Sequence, residues 1–211
     1  MQNDYLIIWD WDNTLANTRP AVRAGLEDVA QFYGLPAITD SDVLNVMTSH
    51  RGVFWQRYFG ANVPEAIAYY VKCYRKHTDL VKLFPETVNI LTYVKELKQP
   101  QIVLSNKYEE ALIEEVAHQG VISYFNAIRG TIGPLGKPDK SFVSDLLERF
   151  EPRNIILIGD GISDMLMAQN IGATSILVHQ PDKTLPHNYD CETLSDVLKK
   201  LNILLKKRKI A

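Results

Sequence analysis

The sequence has few of the features that mark disulfide-linked, zinc-binding or membrane proteins. Its two cysteines, Cys73 and Cys191, lie far apart in no spaced pattern, and its five histidines show no metal-ligand spacing. This argues against a disulfide framework or a zinc site and is typical of a reducing compartment. No apolar run approaches the roughly 20 residues that cross a bilayer, and the first one is too short for the core of a signal peptide. We therefore expect a cytoplasmic protein without membrane contacts.

An excess of one charge is also lacking. The chain has 23 basic and 25 acidic residues and a formal net charge of −2, which gives no overall reason to expect nucleic acid as a partner. The basic run Lys206–Lys209 is short and suits the C-terminal end of a helix better than a nucleic-acid tail. Hydrophobic residues make up 46% of the 211 residues, which is enough for a buried core. We expect a small-molecule partner, with the protein a monomer or a homodimer.

What the sequence does contain is an alternation of buried strands and amphipathic helices. The predicted strands are continuous apolar runs, which are typical of strands covered on both faces. They lie at residues 6–9, 102–104, 155–158, 176–178 and, more weakly, 127–129. Apolar residues at helical spacing lie at residues 90–97, 142–150, 165–171 and 194–205. This alternation predicts an α/β fold with a Rossmann-like parallel sheet core flanked by helices.

One long segment breaks the alternation. Helical patterns follow one another from about residue 17 to residue 82, at 22–33, 41–47, 53–59 and 64–82, with no apparent strand. A connection between two strands does not need this length. We therefore predict an all-helical subdomain of residues 17–82, here called the cap, inserted into an α/β core of residues 1–16 and 83–211.

Polar side chains follow three of the predicted strands where each strand ends. They are Asp10 and Asp12 after the first, Ser105 and Asn106 after the second, and Asp160 after the third. Ligands bind beyond the carboxyl ends of parallel strands, so these groups are expected in one crevice, within reach of Lys137 in a Gly-Lys-Pro turn. Carboxylates at the end of a buried strand are costly unless a cation offsets their charge. The set suits a phosphate group and a metal ion.

Each of these residues has a structural explanation as well. Asp12 can form a turn, Ser105 can cap a helix, and Lys137 can be a solvated surface lysine. A further acid, Asp164, can stabilise the start of its helix. Their joint occurrence at successive strand ends favours a functional role.

The same residues resemble a known family. Asp10-Trp11-Asp12-Asn13-Thr14 is similar to the first motif of the haloacid dehalogenase-like hydrolase superfamily, and Ser105 to its second. Gly136-Lys137-Pro138-Asp139 resembles the third motif and Gly159-Asp160-Gly161-Ile162-Ser163-Asp164 the fourth. The helical insert resembles the small cap of the phosphoglycolate phosphatase-like branch. Asn13 stands where glycine is commoner, and asparagine tolerates a left-handed backbone better than most residues.

The resemblance implies a role for each catalytic and metal-binding residue. Asp10 would be the nucleophile that forms an aspartyl-phosphate. Asp12 would be the general acid that protonates the leaving group and then the base that activates water. Mg²⁺ would be held by Asp10, the Asp12 backbone carbonyl, Asp160 and Asp164. Lys137 would stabilise negative charge in the transition state.

The remaining implied site residues bind substrate. Ser105, with Asn106 and Asn13, would contact the phosphoryl group. In the cap, Arg51 would meet an anionic group of the substrate, since arginine suits carboxylates and phosphates. Thr14 is expected to orient a neighbour rather than to touch substrate.

The expected function is therefore magnesium-dependent hydrolysis of a small phosphate monoester. Asp12 favours phosphate esters over carbon–halogen bonds, because only an alcohol leaving group needs an acid. Three alternatives stay open: a phosphosugar mutase similar to β-phosphoglucomutase, a phosphonatase, and a non-catalytic phosphate-binding protein. Phosphoglycolate, sugar phosphates and nucleotides are all compatible substrates.

Overall fold

A computed structural model describes residues 4–47, 51–132, 135–180 and 183–206 of the chain, with Arg51 and Lys206 described by their backbones alone. The chain divides into two compact units. Residues 1–16 and 83–211 form one, here called the core unit, and residues 17–82, the segment named the cap above, form the other. Residues 207–209 of the basic run lie outside the described residues.

The described residues form eight strands. They are β1 (Tyr5–Trp9), β2 (Ala16–Asn17), β3 (Lys82–Leu83), β4 (Gln101–Tyr108), β5 (Ala127–Thr131), β6 (Asn154–Gly159), β7 (Thr174–Val178) and β8 (Tyr189–Cys191). Six of them make one sheet in the order β5-β4-β1-β6-β7-β8, and every pairing in it is parallel. The remaining two, β2 and β3, pair with each other. The predicted α/β class with a parallel sheet is confirmed.

The central strands place three carboxyl ends side by side. Ile8 of β1 lies opposite Ile102 of β4 on one side and Leu157 of β6 on the other. The sequence pattern predicted that β4 ends at Leu104, but it extends to Tyr108, because pairing with β5 resumes after a shift of register. Residues 105–107 therefore lie at an irregularity of the strand, beyond the end of β1.

Nine helices are found in the described part of the chain. They are α1 (Arg19–Tyr33), α2 (Asp40–Met47), α3 (Arg51–Phe59), α4 (Val63–Arg75), α5 (Thr87–Glu96), α6 (Glu109–His118), α7 (Ser144–Phe150), α8 (Ile162–Ile171) and α9 (Leu194–Lys206). Gly172 ends α8 with a left-handed backbone (φ 67°), as the Ile171-Gly172 pair predicts. In the described residues no helix is long and apolar enough to cross a membrane.

Both faces of the sheet are covered. On one face Leu6, Ile8 and Leu104 pack with residues of α7 and α8 in a buried cluster. Side chains alternate between the faces of a strand, so the equally buried Ile7 and Trp9 point to the other face. Continuous apolar strands are the consequence of this double coverage.

The cap is built from α1 to α4, with α1 lying against α4. A Cβ on Gly25 of α1 would come within 3.1 Å of the Tyr74 Cα, so glycine permits this close approach of the two helices. Tyr74 is buried, and its ring lies 6.0 Å from that of Tyr70, so it belongs to the core of the cap. The predicted helix 64–82 was too long. Helix α4 ends at Arg75, a 3₁₀ turn follows at Thr78–Leu80, and Lys82 begins β3.

Candidate active site

The loop after β1 holds its two aspartates at the edge of the sheet. The Asp10 N–H donates to the Ile158 carbonyl (2.9 Å), which continues the pairing with β6 by one residue. The chain then turns tightly, because the N–H groups of Leu15 and Ala16 both donate to the Trp11 carbonyl (3.1 Å each). Asn13 has a φ of 58° in this turn, the left-handed backbone that asparagine tolerates.

Three carboxylates meet at the carboxyl ends of β1 and β6. Asp10, Asp160 and Asp164 each offer a ligand atom, and these atoms lie within 4.8 Å of one another. Lys137 lies between two of them: its Nζ is 2.6 Å from Asp10 Oδ1 and 2.5 Å from Asp164 Oδ1. Asp10, Asp164 and Lys137 are all buried. The predicted strand-end residues are thus brought together with the lysine of the Gly-Lys-Pro turn.

Asn106 holds the backbone of that turn. Its side-chain Oδ1 accepts from the Lys137 N–H (2.8 Å), and its Nδ2 donates to the Lys137 carbonyl (3.3 Å). A Cβ on Gly136 would lie 2.6 Å from Asn106 Oδ1, so glycine at this position leaves room for the contact. These bonds orient Lys137, whereas the sequence suggested a contact of Asn106 with the phosphoryl group.

Asp164 serves its helix and the carboxylate cluster at once. Its Oδ2 accepts from the Gly161 N–H (3.0 Å) at the start of α8, while its Oδ1 faces Lys137. A Cβ on Gly159 would lie 2.3 Å from Asp164 Cγ. Glycine at 159 is therefore a condition for this position of the carboxylate, and the helix-start role does not compete with a metal-binding role.

Two residues of the loop after β1, Thr14 and Asn13, orient the other two carboxylates. The Thr14 hydroxyl donates to Asp10 Oδ2 (3.0 Å), as expected for a residue that orients a neighbour. Asn13 Nδ2 donates to Asp160 Oδ2 (2.6 Å). Each oxygen of Asp10 therefore has a donor, Lys137 on one side and Thr14 on the other.

The cluster carries more negative charge than its lysine offsets. Burial raises the pKa of Asp10 well above its usual range, against the attraction of Lys137, and the nearby Asp164 and Asp160 raise it further. Burial also raises the pKa of Asp160 to about 7, and Asp164 adds to this shift. Although burial lowers the pKa of Lys137, the carboxylates of Asp10 and Asp164 hold it above its usual range, so the ammonium stays charged. A divalent cation bound by oxygen ligands would offset the excess.

Asp12 has a different environment, centred on a second lysine. Lys107 Nζ lies 2.8 Å from Asp12 Oδ1 and 2.7 Å from both carboxylate oxygens of Glu115. Trp11 Nε1 donates to Glu115 Oε2 (2.8 Å), and Glu115 is buried. The Ser105 hydroxyl donates to Asp12 Oδ2 (3.3 Å). Ser105, expected to bind phosphate, here contacts the second aspartate.

Sequence reasoning missed Lys107, Glu115 and Trp11. One signal was available: Glu115 lies between Leu112 and Val116 at helical spacing, on the buried side of α6. An acid on the apolar side of a helix needs a charged or hydrogen-bonding partner. Lys107, two residues after Ser105 in β4, is that partner.

One predicted residue is not tested by this geometry. Arg51 is the first residue of α3, and its side chain lies outside the described part of the structure. That Arg51 binds an anionic group of the substrate stays a prediction.

Comparison with protein families agrees with the motifs. The model of the haloacid dehalogenase-like hydrolase family matches residues 7–178, from β1 to the last residue of β7. The chain belongs to the haloacid dehalogenase-like hydrolase family. The predicted membership is thereby confirmed, and with it the assignment of the chain as a hydrolase.

Individual relatives of this hydrolase match most of its length. The phosphoglycolate phosphatase of Caulobacter vibrioides is 26% identical, over 96% of this chain and 93% of that protein. The phosphoglycolate phosphatase of Vibrio cholerae is 25% identical, over 83% of this chain and 84% of that protein. Among solved structures, a predicted phosphatase from Clostridium acetobutylicum has a TM-score of 0.83 at 20% identity, with coverage of 96% and 100%. These names agree with the predicted phosphoric monoester hydrolase and its phosphoglycolate phosphatase-like branch.

Proposed function

We propose that this hydrolase is a magnesium-dependent phosphatase that cleaves a small phosphate monoester through an aspartyl-phosphate on Asp10. The observation that carries the proposal is the convergence of Asp10, Asp160 and Asp164 on one position beside the buried Lys137 ammonium. A phosphatase needs a nucleophile, a cation site and a positive charge near the phosphoryl oxygens, and this cluster supplies the residues for all three.

The donor set of the cluster fits Mg²⁺. Carboxylate and carbonyl oxygens are the ligands this ion takes, and Asp10, Asp160 and Asp164 would hold it together with the backbone carbonyl of Asp12. The raised pKa values of Asp10 and Asp160 support the same assignment, because they reflect negative charge that a cation offsets. Bound Mg²⁺ would supply positive charge that draws the phosphoryl group to Asp10 and stabilises the charge developing on its oxygens.

In the first step Asp10 attacks phosphorus. One oxygen of its carboxylate forms a bond to phosphorus as the bond to the ester oxygen breaks. Asp12 gives its proton to the departing oxygen, so that an alcohol leaves. Lys137, already in contact with Asp10 Oδ1, stabilises the negative charge of the transferring phosphoryl group.

In the second step a water molecule attacks phosphorus and displaces the Asp10 carboxylate. Asp12, now a carboxylate, takes a proton from the attacking water molecule, and the bond between phosphorus and Asp10 breaks. Inorganic phosphate leaves, and both aspartates return to their starting states. Ser105, a donor to Asp12 Oδ2, is placed to orient the Asp12 carboxylate in both steps, and its predicted contact with the phosphoryl group stays part of the proposal.

The curated relatives suggest which ester to test first. Those named above are phosphoglycolate phosphatases by name, so 2-phosphoglycolate is the first candidate substrate. Its carboxylate would be the anionic group that Arg51 is expected to bind.

The test is a phosphate-release screen over alkyl, sugar and nucleotide monophosphates, with Mg²⁺ and with a chelator. We expect steady release that requires the metal and is abolished in Asp10→Asn. Isomerisation of a sugar phosphate with little free phosphate would identify a mutase instead. Release from none of the esters would contradict the phosphatase proposal and favour a phosphate-binding protein.

A further inference from the structure

Four side chains of the core unit form a continuous chain of polar contacts that ends on Asp12. Trp11 donates to Glu115, Glu115 pairs with Lys107, and Lys107 pairs with Asp12. Of these four residues, only Asp12 takes part in the proposed mechanism. A lysine ammonium has three N–H donors, and the three carboxylate oxygens within 2.8 Å of Lys107 Nζ match that number.

Glu115 makes this series of polar contacts rigid. Its side chain is 2% exposed, and a buried carboxylate is strongly unfavourable without a charged partner. Lys107 is that partner, and the Trp11 N–H fixes the second oxygen. The Lys107 side chain is therefore held in one position, with its ammonium against Asp12 Oδ1. An ion pair with a purely structural role would not need to include Asp12, the carboxylate proposed to transfer the proton.

We propose that Lys107 is a positioning residue, which Glu115 and Trp11 hold in place and which fixes the Asp12 carboxylate in the orientation required for proton transfer. This inference rests on the proposed function, because it acts through the general acid and base of that reaction. Lys107 orients Oδ1 of Asp12, and Ser105 orients Oδ2. The Asp12 side chain then need not change its rotamer before its proton passes to the leaving oxygen.

The dependence on the leaving group distinguishes positioning from a merely structural role. An alkyl phosphate such as 2-phosphoglycolate releases a basic oxygen that needs a proton, whereas 4-nitrophenyl phosphate releases one that needs little help. For both esters kcat/KM reports formation of the aspartyl-phosphate. We expect Lys107→Met to lower kcat/KM by about 100-fold for the alkyl ester and by no more than about 5-fold for the aryl ester.

Reference variants make the result interpretable. Asp12→Asn should show the same asymmetry between the two esters, and adding Lys107→Met to it should cause little further selective loss, because both changes act on one proton transfer. Lys199→Met, which removes a lysine from an exposed pair with Asp196 (3.0 Å), should leave both values unchanged. If Lys107→Met leaves Glu115 unpaired and does not fold, the double variant Lys107→Met, Glu115→Gln removes both charges and should show the same asymmetry.

Equal loss for the two esters, or no loss, would overturn the positioning role of Lys107 while the wild-type activity upholds the phosphatase. A wild-type chain that hydrolysed neither these esters nor any in the wider screen would overturn the proposed function, and this inference with it. The two failures are therefore distinguished by the wild-type measurement.

Discussion

Two lysines of the core unit each lie between two carboxylates, and their surroundings differ in access to water. Lys137 bridges Asp10 and Asp164, and the three side chains are 2, 7 and 3% exposed. Lys107 bridges Glu115 and Asp12, and there the Asp12 side chain is 25% exposed. We call the pairing of Lys137 with Asp10 and Asp164 the closed bridge, because all three side chains are buried. We call the pairing of Lys107 with Glu115 and Asp12 the half-open bridge, because Glu115 is buried and Asp12 is accessible to water.

The difference follows the chemistry proposed for the two aspartates. A nucleophile and metal ligand works best where water is excluded, because charge interactions are stronger there. A general acid and base must exchange its proton with substrate and with water, so it needs one accessible side. The closed bridge therefore suits Asp10, and the half-open bridge suits Asp12.

The largest effect is expected from changing Asp10, the proposed nucleophile, in the closed bridge. Asp10→Asn should lower phosphate release by about 10⁴-fold or more, since no other group can take the place of the attacking oxygen. The fold should survive, because burial already disfavours the charged form of Asp10, as its raised pKa indicates. Steady-state kinetics and a thermal unfolding curve check the two halves of this prediction. More than a few per cent of residual activity would show that Asp10 is not the nucleophile.

Removing the lysine of the closed bridge should affect both activity and stability. Lys137→Met leaves Asp10 and Asp164 without their ammonium partner, and breaking a buried pair in this way costs about 3–5 kcal/mol of unfolding free energy. Activity should fall by about 10²- to 10³-fold, as for other groups that stabilise transition-state charge. Denaturant unfolding and kcat measure the two losses.

Lys140→Met is the matched control, since that lysine is exposed and lies three residues further along the chain. It should change neither quantity. If the double variant Lys137→Met, Asp164→Asn regained activity as well as stability, the catalytic role of Lys137 would be wrong.

The closed bridge was largely predictable from sequence, because its acids follow strands that the apolar runs reveal. Asp10 and Asp160 come directly after β1 and β6, and parallel topology brings such ends together. Lys137 was predictable only through its motif, since a lysine in a turn is usually solvated. Its burial depends on Asn106, and no local pattern indicated that contact.

The half-open bridge was not predicted, because it depends on a contact between β4 and α6. Four glutamates in Glu109–His118 interrupt the apolar pattern, so the sequence predicts no helix there. The edge strand β8 was missed for a similar reason, since Tyr189–Cys191 is short and carries an exposed aspartate at its centre. In the cap, the predicted helix was continued to residue 82, although Lys76 to Asp79 include no apolar residue and the backbone forms a 3₁₀ turn at Thr78–Leu80. Periodicity identifies long apolar elements and does not identify polar pairs between them.

A smaller effect should follow from crowding the closed bridge without changing its charges. A Cβ on Gly159 would lie 2.3 Å from Asp164 Cγ, so Gly159→Ala must displace that carboxylate. We expect the apparent affinity for Mg²⁺ in the activity assay to fall by about 10- to 100-fold, as for other changes around metal ligands. Gly161→Ala is the matched control, because its Cβ would meet Asp164 at 3.4 Å, an ordinary contact. Equal metal dependence of the two variants would contradict a metal-binding role of Asp164.

The smallest effect is expected from Glu115→Gln in the half-open bridge. The amide oxygen can still accept one hydrogen bond from Lys107 or Trp11, but the charge that holds the ammonium is lost. Charge-assisted hydrogen bonds are about twice as strong as neutral ones, so kcat/KM for an alkyl phosphate should fall by only about 2- to 5-fold. Glu109→Gln, a change on the same helix at a carboxylate that accepts from the Gly130 N–H (3.1 Å), should leave the value unchanged. Because Asp12 keeps its lysine in Glu115→Gln, a loss as large as that of Lys107→Met would mean that Glu115 acts on the reaction by another route than Lys107. The ratio of the two losses therefore measures how much of the orientation of Asp12 depends on the buried end of the bridge.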